Sequence, residues 1–290
     1  MNKKMEIYNE IIAPVIEELV HDYSSSEGVE ISYVYKQIKN IIPKIIDEYF
    51  SGQPPQINYS NFFVRIGYLH RLLPGLVYNY RDLIKKALSL GYFKEKEIRV
   101  IVFGGGPGTE LLAISTILKR KNINFCLTDK FDSWADCWDL LKDKIIRKLQ
   151  NLQISINCDF LPIDITDLNN FYKNKNRLRR NKYYFVNYIV SELYYKSSLF
   201  TEFLRAIIED KPVGEKIVIL LADRNQPIIK EIIKEIEDEL DLTKKYFDET
   251  NIRCPENYFY NLEPIKLLGK PKTSEFKSIR YIFESNPPPF

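Results

Sequence analysis

The residues whose types and spacing point to chemistry fall in one stretch, RVIVFGGGPGTELLAI (99–114). Gly104, Gly105, Gly106 and Gly108 lie there between an apolar run and a helix-like pattern. A backbone without side chains at such a point lets a ligand approach the main chain. The helix that follows presents its N–H groups and partial positive charge to the same place. Spacing rules out two familiar phosphate loops. Gly104, Gly106 and Gly108 give GxGxG, but the GxGxxG of hydride-transferring dinucleotide enzymes fails, because Thr109 follows Gly108 and a count from Gly105 puts Pro107 on the second glycine. A P-loop needs GK[ST], which is absent.

The elements that must position this loop can be read from periodicity. From residue 97 onward short apolar runs alternate with amphipathic stretches. The runs are IRVIVF (98–103), INFCLT (123–128), ISINCDFLPI (154–163), YYFVNYIV (183–190) and KIVILLA (216–222). Helix-like segments cover roughly 108–120, 133–150, 195–210 and 226–240. Strands alternating with helices imply right-handed βαβ units and a doubly wound, mostly parallel sheet with both faces covered, an α/β fold. SIRYIFES (278–285) reads as a late strand at an antiparallel edge. Residues 1–95 read as an all-α N-terminal domain, with apolar residues spaced three and four apart. There Pro14 and Pro43 are expected to kink or bound helices, a break is expected near Pro74–Gly75, and Gly91 is a plausible stop. Residues 96–290 form the second domain.

The glycine loop in its strand–loop–helix setting resembles motif I of the class I S-adenosylmethionine (SAM)-dependent methyltransferases. The order of elements over about 97–290 is similar as well. The resemblance implies a seven-stranded Rossmann-like sheet, SAM as cofactor, and Gly104, Gly105, Gly106 and Gly108 beside its methionine end. It also implies an acid at the end of strand two for the ribose hydroxyls. Asp129 closes FCLTD about twenty residues after the loop, which is the right spacing. A helix cap before FDSWADCW is its alternative role. An acid after strand three should accept from the adenine amino group. Asp164 in LPIDITD fits, with the Ile165 backbone beside the ring, and Asp159 competes if the strand ends earlier. One position departs from the pattern. Two residues before the first glycine, where the family often carries an acid, stands Val102. Glu110, just inside the next helix, can supply that carboxylate for the methionine amino group, or it can simply favour the helix N-terminus.

For the transfer itself, the place to look is after strand four, in VNYIVSELYYKSS. Ser191, Glu192, Tyr194 and Tyr195 are candidates. Glu192 can hold or deprotonate an acceptor amine, imide or hydroxyl. The alternative has Ser191 as helix cap and the tyrosines as packing. ADRNQP brings Asp223, Arg224 and Asn225 to the same rim. Two chemistries are disfavoured. No Asn/Asp-Pro-Pro-aromatic motif follows strand four, as methylation of exocyclic base amines would require, and NPPPF (286–290) sits at the chain end. No cysteine follows strand four or five for attack on cytosine carbon-5.

Substrate signals are sparse. KNKNRLRRNK (173–182) can track phosphates or be a solvated helix end. YLHRLLPGLVYNYRDLI (68–84) resembles the helix before the SAM domain in small-ribosomal-subunit methyltransferase-like proteins, and can cap the pocket with Tyr68, His70, Arg71, Tyr78 and Tyr80. These place RNA or a nucleotide base slightly ahead of a small molecule or a protein side chain as acceptor. The second reading is a non-catalytic SAM-fold module for interaction or assembly. A net charge of +3 is too mild to name nucleic acid as partner. Cys126, Cys137, Cys158 and Cys254 form no CxxC, and with two histidines a metal site is not expected. No apolar run reaches membrane-spanning length, so no membrane partner is expected, and reduced core cysteines fit a cytoplasmic protein.

Overall fold

The computed structural model describes residues 7–50, 55–118, 121–149, 155–252, 262–269, 271 and 276–286. Its centre is a seven-stranded sheet in the order β3-β2-β1-β4-β5-β7-β6. The strands are β1 Glu97–Phe103, β2 Asn122–Asp129, β3 Ser155–Pro162, β4 Tyr183–Asn187, β5 Val218–Arg224, β6 Leu242–Ile252 and β7 Phe276–Ser285. The first five are parallel, and β7 is antiparallel to both β5 and β6. This is the doubly wound sheet that the resemblance implies.

Both faces are covered, and the strands show it residue by residue. In β1, Val100 and Val102 join one apolar layer while Ile101 and Phe103 join the other, the period of two that pleating imposes. The first layer holds α1 Ala13–Glu27, α2 Ile31–Phe50, α3 Phe62–Arg71, α4 Leu73–Ser89, α5 Thr109–Ile117 and α6 Ala135–Leu149. Its core is continuous: Ile16, Leu69 and Val77 of the N-terminal helices share it with Val100, Leu112 and Trp138. The opposite layer holds α7 Leu168–Leu178, α9 Ser197–Glu209 and α10 Pro227–Glu239. In α9, Phe200, Phe203, Leu204 and Ile207 lie on one helical face and are all buried, each contributing about 1.5–3 kcal/mol.

The prolines behave differently from one another. Pro14 stands in the first turn of α1, after a π-helical turn at Tyr8–Ile12, and Pro74 starts α4 after the break at Leu72, where a missing N–H costs nothing. Pro43 lies inside α2, which runs through it, so it does not end the helix. Gly91 (φ +93°) follows the end of α4 as expected. Two strand expectations need correction. The run at 183–190 is a strand only to Asn187, because Tyr188 turns into the left-handed region (φ +60°) and begins the short helix α8 Ile189–Glu192. The late strand is not the edge: β7 pairs on both sides, and β6, which the sequence reading lacked, forms the edge. NPPPF lies outside the described residues from 287 onward.

Candidate functional site

In a parallel sheet the carboxyl ends of the strands open a crevice where the chain diverges to the two helical layers. Here β1 and β4 are neighbours whose following helices, α5 and α8, lead to different sides. The crevice is a cleft with about 790 Å³ of empty space, open solvent included. Gly104, Gly105, Gly106, Glu110, Asp129, Asp164, Ile165 and Glu192 all line it. The N-terminal helical segment closes over it with Tyr49, Tyr59, Tyr68 and Tyr80.

The loop is shaped by steric necessity. Gly106 has φ +50°, a region that costs L-residues roughly 1–2 kcal/mol. A Cβ on Gly105 would fall 2.2 Å from Leu127 Cδ1 and 2.8 Å from Val102 Cγ1, so the small Val102 side chain is part of the packing under the loop. Gly108 does not line the cleft. A side chain there would meet the Trp138 ring at 2.4 Å, so this glycine allows α5 to pack on α6.

Asp129 binds the loop together. Its Oδ2 accepts from the Gly106 N–H at 2.9 Å and its Oδ1 from the Phe131 N–H at 2.9 Å. Burial pushes its carboxyl up to about 6 against those hydrogen bonds. Asp164 sits across the cleft and accepts from the Thr166 N–H and hydroxyl at 2.9 and 2.7 Å. Burial raises its affinity for a proton, but those hydrogen bonds outweigh it and hold Asp164 below the usual range. Asp159 lies elsewhere, in a surface groove with Arg177 and Arg180.

Glu110 is the most constrained acid. It is 3% exposed, and its Oε1 accepts from Asn187 Nδ2 at 2.8 Å. Its Oε2 is buried and has no hydrogen-bond partner among the described residues. Burial, then the nearby Asp129 charge, raises its carboxyl to about 7. Asn187, at the end of β4, also accepts from the Ala222 N–H through Oδ1 at 3.0 Å, which fixes its amide toward Glu110. The sequence reading missed Asn187. Its signal is one polar residue closing an apolar strand.

Glu192 lies at the other end of the cleft and is half-buried. Its Oε1 lies 3.3 Å from the hydroxyls of both Tyr49 and Tyr59, and because these two also bond to each other, one of their two protons is spent between them and the other is left for the carboxylate. Burial, then the nearby Asp129 charge, raises its carboxyl to about 7. Tyr59 packs 5.4 Å from Trp134 and 6.0 Å from Tyr68, ring to ring, so a continuous aromatic wall faces the carboxylate. Tyr49 and Tyr59 were not among the sequence candidates.

Other sequence candidates are placed elsewhere. The Ser191 hydroxyl donates to the Tyr188 carbonyl and its N–H donates to the buried Asp223, so Ser191 fixes the β4–α8 turn and does not line the cleft. Tyr194 packs edge-on against Tyr195 at 4.7 Å, also outside the cleft lining. Arg224 lies over the Tyr49 ring at 5.0 Å, while Asn225 bonds Glu249 at the surface. His70 is a buried tie. Its Nε2 donates to the Gly269 carbonyl, so its Nδ1 accepts from the Tyr8 hydroxyl, and burial lowers it to about 4. Arg71 and Tyr78 do not line the cleft. Among the described residues no group of three His, Cys, Asp or Glu side chains can hold a metal ion, and no helix is long and apolar enough to cross a membrane.

No family model matches the chain, and no curated protein matches it. Solved structures do resemble it. The plantazolicin methyltransferase BpumL, in complex with SAH, is 14% identical with a TM-score of 0.46, over 88% of this chain and 100% of that one. A SAM-dependent methyltransferase from Aquifex aeolicus is 15% identical with a TM-score of 0.41, over 73% of this chain and 98% of the other. A SAM-dependent methyltransferase of Leishmania major is 8% identical with a TM-score of 0.38, over 91% and 90%. The strand order of the sheet itself, with its antiparallel β7, is what gives this chain the fold of the class I SAM-dependent methyltransferases.

Proposed function

We propose that this protein is a SAM-dependent methyltransferase of the cytoplasm whose cleft holds the cofactor along β1, β2 and β3 and the acceptor beneath the N-terminal helices. The observation that carries the reading is the buried Glu110 Oε2, which lacks a partner beside a loop of bare backbone. An unpartnered buried carboxylate oxygen is costly, and a cationic donor from a ligand removes that cost. The methionine ammonium of SAM is such a donor. Asp129 would hold the ribose hydroxyls with its remaining lone pairs, and Asp164 with the Ile165 backbone would hold the adenine. When bound, the cofactor would supply a methyl carbon on a sulfonium, open to in-line attack by the acceptor's lone pair with the C–S electrons leaving on sulfur. The protein's part is alignment and exclusion of water, with a proton acceptor where the nucleophile carries a proton. Glu192 is placed for that last role. Ser191 is proposed only as the turn that aims Glu192.

The acceptor reading that put a nucleotide base first finds little support in the cleft. The basic run leads into the amino ends of the strands, where the Lys182 N–H donates to the Arg99 carbonyl. The cleft is at the opposite ends, about 20 Å away along a strand of this length. The test of the cofactor reading is thermal unfolding with SAH. Ligand that binds only the folded state raises Tm by mass action. The wild type should gain stability with SAH, and Gly106→Val should gain none. Equal gains would remove the loop from the cofactor site.

A further inference from the structure

We infer that the acceptor is an amine that enters as its ammonium ion, held by the Glu192 carboxylate against the faces of Tyr49, Tyr59 and Tyr68. The inference rests on the cofactor reading above, because it concerns what remains of the cleft once that half is filled. Within that half the carboxylates have their own tasks: Glu110 faces the loop, Asp129 is bonded to it, and Asp164 is turned to Thr166. The cofactor brings one net positive charge to them. Glu192 is left over, an acid at the acceptor end with no cationic side chain bonded to it among the described residues. Of the basic groups nearby, Arg224 acts on Glu192 through its charge without a bond to it, and both it and Lys130 are stacked on rings. Lys130 lies over the Phe131 ring at 4.8 Å, and Arg224 lies over Tyr49 at 5.0 Å.

The rings add to the argument. Tyr68 meets Tyr59 nearly perpendicular (87°) at 6.0 Å and Tyr49 at 6.1 Å, so ring faces and edges of different orientation surround the place that Glu192 overlooks. Such a group of aromatic faces attracts a desolvated cation, and a carboxylate at its open side completes the selection. An anionic acceptor meets the opposite field: Glu192 and Asp129 repel a phosphate. The Tyr49–Tyr59 hydroxyl pair donates its remaining proton to Glu192 Oε1 and holds the carboxylate in one orientation, so both tyrosines act as positioning residues.

The chemistry then balances. The ammonium gives one proton to Glu192, and the lone pair left on nitrogen takes the methyl group. The product nitrogen keeps a positive charge and the same aromatic surroundings. A carboxyl raised to about 7 by burial is suited to accepting a proton near neutrality.

The experiment is a calorimetric titration in two stages. SAH is titrated first. The SAH-saturated protein is then titrated with propylamine, benzylamine and putrescine, and separately with propanol, benzyl alcohol and AMP. The expected result is that at least one amine binds about 10-fold more tightly than its alcohol, the size of a cation–π and carboxylate preference. Glu192→Gln should erase that preference at unchanged SAH affinity, which also shows that the variant is folded. Tyr49→Phe should reduce it only partly. Normal SAH binding with no amine preference, or with AMP bound as tightly as the amines, overturns this inference alone. Failure of SAH to bind overturns the cofactor reading and this inference with it.

Discussion

The two halves of the cleft, one proposed for the cofactor and one proposed for the acceptor, are built in opposite ways. The cofactor half comes from consecutive pieces of sheet: the β1–α5 loop, the end of β2 and the end of β3, tied by the Gly106–Asp129 bond. The acceptor half is gathered from distant segments. Glu192 follows β4, and the tyrosines over it come from α2, the loop before α3, and α3 itself. The Gly106–Asp129 tie of the first half spans 23 residues and its Glu110–Asn187 bond 77, whereas Tyr49 reaches Glu192 across 143. A site of the first kind is fixed by the fold. One of the second kind can change its acceptor through the side chains that the covering helices turn toward the cleft. The continuous core beneath the N-terminal helices shows that this covering layer is nonetheless packed as firmly as the sheet.

Breaking either half should leave the other standing. The largest effect is expected from Gly106→Val, which forces a β-branched residue into φ +50° and fills the cradle. SAH binding should be lost altogether, with about 1–2 kcal/mol of stability, as read by calorimetry and denaturant unfolding. Glu192→Gln should slow turnover of an amine by about 100-fold or more while SAH affinity holds; wild-type turnover would return Glu192 to the role of a helix-turn residue. Asp129→Ala should weaken SAH by about 1–3 kcal/mol, since it removes charged hydrogen bonds to both ribose and loop. A loss beyond SAH binding, in amine preference at saturating SAH, would show the halves to be coupled.

Titration sharpens the comparison further. Asp129 is raised to about 6, and Glu110 and Glu192 to about 7, all above their unfolded values. The folded state therefore binds more protons than the unfolded one between those values. The stability these groups contribute is complete in acid and is lost as pH rises through about 6 to 7. Without ligand the protein should lose on the order of 1–3 kcal/mol from pH 5 to pH 8. Glu110→Gln should flatten that slope. SAH should restore stability most at the alkaline end, where Glu110 is ionised and can meet the ammonium. The smallest effect is expected for Tyr59→Phe, which removes the Tyr49–Tyr59 bond but leaves the Tyr49 hydroxyl to donate to Glu192, and should cost about 1 kcal/mol or less.

This asymmetry also explains what the sequence made legible. The strand–loop–helix setting brought Gly104, Gly105 and Gly106 into view, and the resemblance to motif I then pointed to Glu110, Asp129 and Asp164, because a βαβ unit turns sequence distance into spatial distance. Nothing local marks Tyr49 or Tyr59, since an aromatic residue on an amphipathic helix reads as packing until the surface it covers is known. Strand β6 escaped for a related reason. Its LTKKYFDETNI pattern breaks period two at the bulge between Lys244 and Tyr246, and an edge strand carries lysines to discourage further pairing. Tyr188 hid the end of β4, because an apolar residue gives no sign that it will adopt a positive φ.

The central claim is that the glycine cleft is built for SAM. Isothermal titration of the purified protein with SAM and SAH, with NADH and ATP alongside, tests it most directly. The account expects micromolar binding of SAM and SAH and none of the other two. Binding of NADH or ATP in their place would contradict it and point to another nucleotide-using enzyme of doubly wound fold; no binding by a folded sample would contradict it and favour a non-catalytic module.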